Sequence, residues 1–146
     1  MHNLDKIRAS LSGYTLLITG GGSGIGYSTA KLFAKMGANV AVNYLPEDIE
    51  SKNRVNELKD KYINIIEVTG DVSQEKIAKR VIFETIKKFN SLNSLINNVG
   101  VGLVKDPIPF KELDQLNNDF WQKIMSVNVM SAFLLFKDSF KRANQK

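Results

Sequence analysis

Five glycines crowd the seven residues from Gly20 to Gly26, and this segment constrains the fold more than any other part of the chain. It follows Tyr14–Thr19, an apolar and β-prone run that predicts a buried strand. It leads into Gly24–Gly37, whose apolar spacing and closing glycine predict a helix. Because a tight turn from strand to helix needs residues without a Cβ, the segment predicts the start of a βαβ unit.

The rest of the chain continues to alternate strand and helix patterns. Further strands are predicted at Asn39–Tyr44, Ile63–Thr69 and Leu92–Asn97. Further helices are predicted from Pro46 to about Tyr62, from Gln74 to Phe89 and, beyond a loop with Pro107 and Pro109, from roughly Asp114 to Asn144. This order predicts a Rossmann-like, three-layer αβα fold, an α/β class in which right-handed crossovers give a parallel sheet the strand order 3-2-1-4.

Composition and charge remove several function classes. The chain contains no cysteine, which excludes disulfides and thiol catalysis. Neither Met1–Gly13 nor Val127–Phe136 has the apolar length of a signal peptide or of a bilayer span, which takes about 20 residues. The net charge of +5 is spread among acidic neighbours without interleaved aromatic residues, which favours attraction of a phosphate-bearing ligand over nucleic-acid binding. We therefore expect a cytoplasmic protein with no membrane and no nucleic-acid partner.

Within the glycine-rich segment the spacing is G-x-x-x-G-x-G, formed by Gly20, Gly24 and Gly26. Gly20 would permit the turn out of the strand, Gly24 would let the backbone approach a pyrophosphate, and Gly26 would let the helix pack closely on the sheet. Tyr27 occupies the place where a P-loop carries lysine, which excludes that alternative. A plain βα turn would not need so many glycines, so the segment predicts a dinucleotide-binding site.

Four motifs occur in an order that covers nearly the whole chain. Thr19–Gly26 reads T-G-x-x-x-G-I-G, Asp71 and Val72 follow the third predicted strand, Asn97–Gly100 reads N-N-V-G, and Asn128 lies in a V-N-V segment. Together they resemble the short-chain dehydrogenase/reductase family. That resemblance implies NAD or NADP as cofactor, bound by residues 1–146 as one domain. It also implies hydride transfer between the nicotinamide ring and an alcohol or carbonyl carbon.

The resemblance assigns roles to single residues. Asp71 would accept a hydrogen bond from the adenine amino group with Val72 beside the ring, and Asn97 and Asn98 would brace the fourth strand. Taken alone, Asp71 is also typical of a turn or helix cap, and the asparagines are typical of a strand-end turn. The other cofactor-binding positions that the family implies are Gly20, Gly22, Ser23, Gly24, Ile25, Gly26, Val99 and Gly100, of which Val99 departs from the usual alanine.

For catalysis the resemblance supplies one residue. Asn128 corresponds to the family's catalytic asparagine, although alone it would be an unremarkable polar residue of a helix. The family's serine and Tyr-x-x-x-Lys follow later than Lys146, so we expect a fold truncated after the helix that follows the fourth strand, and a chain inactive by itself. Tyr27 and Lys31 share the Tyr-x-x-x-Lys spacing, but on the phosphate-binding helix they are predicted to be a surface pair.

No other catalytic system is predicted. His2 is the only histidine, which makes a Ser-His-Asp system implausible. No group of His, Asp and Glu has metal-ligand spacing. The sequence therefore supports no chemistry beyond that which the family resemblance implies.

The choice between NAD and NADP depends on the end of the second strand. NAD specificity usually needs an acidic residue there to bond the ribose 2′-hydroxyl, and this chain has Asn43 instead. The absent carboxylate favours NADP, although no basic residue stands beside Asn43 or within the glycine turn. Glu47 and Asp48 lie just beyond and are alternatively a solvated helix start.

Two hypotheses follow from these patterns. The first is the cofactor-binding portion of a short-chain oxidoreductase, and the second is a non-catalytic remnant that binds a nucleotide or a partner. In either case Leu92–Asn97 would be an exposed apolar sheet edge, and Phe133, Phe136 and Phe140 would lose part of their cover. We therefore expect either a complementary C-terminal fragment or self-association.

Overall fold

The structure is a computed structural model that describes residues 10–101 and 110–143. The expectations for His2 and for the loop with Pro107 and Pro109 lie outside the described residues. Four parallel strands form one sheet: β1 (Thr15–Ile18), β2 (Asn39–Val42), β3 (Ile65–Glu67) and β4 (Ser94–Ile96). Their order is β3-β2-β1-β4, which confirms the predicted strand order.

Helices connect and cover these strands. They are α1 (Gly24–Lys35), α2 (Ile49–Lys61), α3 (Glu75–Phe89), α4 (Asn118–Met125) and α5 (Ser131–Ala143). α1 ends two residues before Gly37, whose φ of +88° provides the left-handed turn that stops the helix. α2 begins three residues later than Pro46 because the carboxylate of Asp48 accepts the Ser51 amide and so caps the helix at that point.

The single long helix predicted from Asp114 is wrong in its first part and interrupted in its middle. A 3-10 helix covers Phe110–Gln115. α4 then starts where the Asn117 side chain accepts the amide of Phe120 at 3.0 Å. Between α4 and α5 the helix widens into a π-helical turn at Ser126–Met130. A regular 3.6-residue period cannot predict this wider turn.

The core lies on both faces of the sheet, which confirms the three-layer architecture. Side chains alternate along each strand, so Leu16 and Ile18 pack toward α1 and α2 while Leu17 packs toward α3 and α5. All three are fully buried. Since the strands are parallel, their carboxyl ends share one edge, and the glycine-rich segment, Asp71 and Asn98 follow there.

Candidate cofactor site

The glycines between β1 and α1 divide into those that face protein and one that faces open space. A Cβ at Gly20 would lie 3.0 Å from the Val99 Cα, and one at Gly26 would clash with the Gly20 carbonyl oxygen. Gly24 has a left-handed φ of +51°, yet nothing lies within 4 Å of its Cβ direction. Close packing therefore explains Gly26 and, together with a left-handed φ of +59°, Gly20, while Gly24 leaves bare backbone at the start of α1.

The start of α1 has the properties of an anion-binding helix end. Ser23 is the N-cap residue, is exposed, and makes no side-chain capping hydrogen bond. The first turn holds no acidic residue, and Ile25 is 80% exposed. The first backbone N–H groups of a helix lack intrahelical partners and carry the positive end of the helix dipole. This end can therefore hold a phosphate group, with an apolar side chain beside it.

Asn98 ties the segment after β4 to the glycine turn. Its Nδ2 donates to the carbonyls of Thr19 at 3.1 Å and Gly20 at 3.0 Å. The Thr19 hydroxyl in turn accepts the backbone amides of Asn98 and Val99. These bonds hold the ends of β1 and β4 together, as predicted for Asn98, whereas Asn97 is exposed. The Thr19 hydroxyl, to which the motif alone assigns no role, lies at the centre of this network.

Asp71 lies in a cleft of about 550 Å³ at the carboxyl ends of β2 and β3. Its Oδ1 accepts the Ser73 amide at 3.0 Å and the Ser73 hydroxyl at 2.7 Å, which is the turn role that the sequence left open. Partial burial raises the pKa of Asp71, but these hydrogen bonds and the nearby Lys123 charge outweigh it and hold the pKa below its usual range. The carboxyl is therefore an ionised acceptor at the cleft. Its contact with an adenine ring remains a prediction.

Besides Gly26, three predicted cofactor residues lie buried in the protein. Asn43 is 2% exposed, and its Nδ2 donates to the carbonyls of Val68 at 2.8 Å and Gly70 at 3.0 Å. Val72 is 3% exposed within the core on the α3 side, and Gly22 packs against Ser51 of α2. Each residue therefore supports the surface of the site through packing and does not line it. The Asn43 side-chain amide is already hydrogen-bonded to the backbone after β3, and little of its surface is exposed to contact a ribose.

Asn128 lies in the π-helical turn and reaches the segment after β4. Its Oδ1 accepts the Val101 amide at 2.8 Å and its Nδ2 donates to the Val101 carbonyl at 3.0 Å. A Cβ at Gly100 would lie 3.2 Å from the same Oδ1. Single π turns within helices are often found at functional sites. Here the turn brings Asn128 to the loop that also carries Asn98.

The remaining candidates do not join this group. Tyr27 is partly buried against the core between β1 and α1, and Lys31 is exposed one turn later on α1. Within residues 10–101 and 110–143, no three His, Cys, Asp or Glu side chains come close enough to hold a metal ion. No helix in the same ranges has the length and apolar character needed to cross a membrane.

Sequence reasoning missed the basic residues at the site: Arg80 and Lys123 line the cleft with Asp71, and Arg54 lies at the glycine turn. Arg54, on the second turn of α2, donates from Nη1 to the Gly22 carbonyl at 3.4 Å and from Nη2 to the Glu50 carboxylate at 2.7 Å. Its side chain is 40% exposed. The nearest available signal was helical spacing, because Arg54 lies three residues after Ser51, the residue that packs on Gly22.

Comparisons with known proteins agree with this geometry. The family model described as short chain dehydrogenase matches residues 14–145. A Thermotoga maritima protein named an uncharacterized oxidoreductase is 34% identical over 128 residues, covering 88% of this chain and 47% of that protein. General stress protein 39 of Bacillus subtilis is 31% identical over 127 residues, covering 87% and 43%.

Solved structures share the same architecture. A dehydrogenase/reductase from Sinorhizobium meliloti has a TM-score of 0.77 at 26% identity, covering 90% of this chain and 50% of that chain. A Brucella melitensis short-chain dehydrogenase/reductase, titled a glucose/ribitol dehydrogenase, has a TM-score of 0.77 at 23% identity, covering 91% and 53%, and shows the fold alone. The chain thus spans about half the length of the relatives it matches.

Proposed function

This chain belongs to the short-chain dehydrogenase family, and we propose that it is the NAD(P)-binding portion of an oxidoreductase acting on an alcohol or carbonyl substrate. The family implies a nicotinamide dinucleotide. The observation that carries the proposal for this chain is Gly24, whose bare backbone faces open space at the start of α1 while the neighbouring glycines face protein. A phosphate group fits that space because it needs close approach to backbone N–H groups.

Two parts of the described structure would bind different parts of the cofactor. The exposed residues Ser23, Gly24 and Ile25 would hold the pyrophosphate, and the cleft at Asp71 would hold the adenine. Gly20, Gly26, Asn98, Val99 and Gly100 would form the floor beneath them, with Gly22, Asn43 and Val72 behind it. The bound nicotinamide would supply the hydride acceptor or donor. In the proposed enzyme Asn128 holds the Val101 segment beside this floor, and the whole residue 1–146 domain serves the cofactor.

NADP is the proposed cofactor in preference to NAD, and the cytoplasm is the proposed compartment. The end of β2 carries no carboxylate to accept a ribose 2′-hydroxyl or to repel a 2′-phosphate. The Asp48 carboxylate, which lies beyond it, accepts the Ser51 amide at 2.9 Å and the Ser51 hydroxyl at 2.6 Å. It therefore caps the start of α2.

Calorimetric titration of the purified chain with NADP⁺ and NAD⁺ tests the cofactor proposal. We expect saturable binding of at least one dinucleotide at or below millimolar concentration. Gly24→Ala should weaken that binding strongly, because its methyl group would fill the open space. Gly13→Ala is the matched control, since Gly13 also has a left-handed φ, +79°, with nothing within 4 Å, but lies outside the site. Binding of neither dinucleotide by the unaltered chain would overturn the proposal.

Among the described residues β4 is an edge strand of the sheet, and a groove with apolar side chains lies beside it. The groove has a volume of about 490 Å³, runs between β4 and α5 and includes Leu92, Leu95, Phe136 and Phe140. Phe136 and Phe140 stack with ring centres 5.9 Å apart and are 61% and 59% exposed. We propose that a complementary C-terminal segment, supplied in cis or in trans, covers this groove, and that without it the chain self-associates.

Sedimentation velocity across a concentration series tests self-association through this groove. The unaltered chain should form larger species as its concentration rises, and Phe136→Asp with Phe140→Asp should keep it monomeric. A monomer at every concentration would contradict self-association. Hydride transfer that appears on adding the C-terminal half of a family relative would favour the oxidoreductase over the alternative, a nucleotide- or partner-binding domain without turnover.

A further inference from the structure

We propose that Arg54 recognises a phosphate on the adenosine ribose and thereby makes NADP the preferred dinucleotide. This role rests on the proposed function, because it concerns the same cofactor. In dinucleotide-binding sheets the adenosine ribose lies between the glycine turn and the end of the second strand. Arg54 comes from α2, beyond that strand, yet its guanidinium reaches the Gly22 carbonyl at 3.4 Å.

Close packing between α2 and the glycine turn puts Arg54 in this place. A Cβ at Gly22 would overlap the Ser51 side chain, so only glycine lets α2 lie directly against the turn. Ser51 is 1% exposed, and Arg54 follows three residues later on the same helix face. The absent side chain at Gly22 therefore determines how near the guanidinium comes to the ribose position.

The charges around Arg54 leave it able to take an anion. Two carboxylates act on Arg54. Asp48 accepts hydrogen bonds from Ser51, and those bonds together with the Arg54 charge hold the Asp48 pKa below its usual range, while Glu50 forms an i,i+4 ion pair with Arg54 across 2.7 Å. The Glu50 side chain is 81% exposed, and such surface pairs are weak, so a doubly charged phosphate can compete with it. Arg54 also carries five N–H donors, so one guanidinium can bind a phosphate while it keeps the Gly22 carbonyl.

Arginine suits this task because its planar fork binds two phosphate oxygens at once, which a lysine ammonium does not. Ser23, on the same turn, supplies an exposed hydroxyl that makes no capping hydrogen bond. The pair would replace the acidic residue that selects NAD in other dinucleotide sites. The recognised group is thus a ribose monophosphate ester.

Dissociation constants for NADP⁺ and NAD⁺ measured on Arg54→Gln test the inference. We expect NADP⁺ to bind about 10-fold more weakly or worse, with the NAD⁺ constant within about twofold, because a charge-assisted hydrogen bond is lost for one ligand only. Arg54→Lys should be intermediate. Lys79→Gln is the matched control, since Lys79 forms an exposed i,i+4 ion pair with Glu75 at 2.9 Å on α3. It should change neither constant.

A purely structural role would give a different result. If Arg54 only holds the Gly22 carbonyl, Arg54→Gln weakens both dinucleotides equally, and this overturns the inference while the proposed function stands. Unchanged NADP⁺ binding overturns it too. Binding of 2′,5′-ADP against 5′-ADP isolates the ribose phosphate, and the preference for 2′,5′-ADP should disappear in Arg54→Gln. Binding of none of these ligands by the unaltered chain overturns the proposed function and the inference together.

Discussion

The two sides of the sheet differ in how completely this chain buries them. On the β2 and β3 side, Val40, Ala41 and Val42 of β2 are fully buried beneath helices, and in the edge strand β3 Ile65 is buried while Ile66 and Glu67 are partly exposed. On the other side all three residues of β4 remain partly exposed, α4 buries no residue, and α5 exposes Phe133, Phe136 and Phe140 by 55%, 61% and 59%. The glycine turn therefore packs on a well-buried core, whereas Asn128 lies in a segment with few buried residues.

The difference in burial distinguishes the proposed cofactor-binding residues from Asn128. The residues proposed to hold the cofactor keep their geometry through contacts within this chain, such as those of Asn98 with Thr19 and Gly20. Asn128 keeps its geometry through one pair of hydrogen bonds to Val101 and through a helix anchored mainly by Leu135. We expect the first group to be rigid and the second to open more readily.

Gly26→Ala should give the largest loss of stability, because it lies in the closely packed part of the molecule. Its Cβ would clash with the Gly20 carbonyl oxygen and lie 2.6 Å from the Asn98 Nδ2, and neither neighbour can move without disturbing the turn. We expect a loss of about 3 kcal/mol or more in the free energy of unfolding, measured by urea denaturation. Gly13→Ala, which adds a methyl group to open space, should cost about 1 kcal/mol. Equal losses would contradict the packing account.

Leu135→Ala and Phe136→Ala test how α5 is held. Leu135 is fully buried against the sheet, so its truncation should cost about 2–3 kcal/mol. Phe136→Ala, which removes a neighbouring side chain on the exposed side of α5, should lower the free energy of unfolding by less than about 0.5 kcal/mol. Thermal or urea unfolding of the two variants gives the comparison directly. A large loss for Phe136→Ala would mean that another surface already covers the β4 side.

Asn128→Ala should act locally and cost about 1 kcal/mol, the worth of a hydrogen-bonded pair on a partly exposed segment. Its effect should appear as faster hydrogen exchange of the Val101 amide, which donates to Asn128. Asn97→Ala, an exposed neighbour of the same loop, should leave that exchange rate unchanged. Unchanged protection in Asn128→Ala would show that the π-helical turn does not hold the loop.

The smallest expected effect is the pH dependence at Asp71. Because the folded pKa lies below the unfolded one, Asp71 adds stability above about pH 4, and that stability is lost as pH falls through the folded pKa. The carboxyl remains partly solvated, so less than about 1 kcal/mol is involved. Asp71→Asn should flatten the acid limb of stability against pH by this amount. A steeper acid limb in the variant would reverse the assignment.

Much of the fold was predictable because its signals are local. The alternation of strand and helix patterns predicted all four strands, and right-handed crossovers predicted their order. Asn43 shows where local reasoning fails. Its position at the end of β2 suggested a ribose contact, but the chain after β3 passes close enough to take its amide. Residue spacing along the sequence cannot predict how closely the chain after β3 approaches Asn43.

The amino-acid sequence by itself determined the βα turn, the strand order and the family, because glycine spacing and apolar periodicity act within a few residues along the chain. The tertiary structure alone decided which glycine faces open space, how Asn128 meets Val101 through a π-helical turn, and how Arg54 reaches Gly22. Each of these depends on contacts between segments far apart in sequence. Packing of whole helices against the sheet determines such contacts, and no local pattern encodes them.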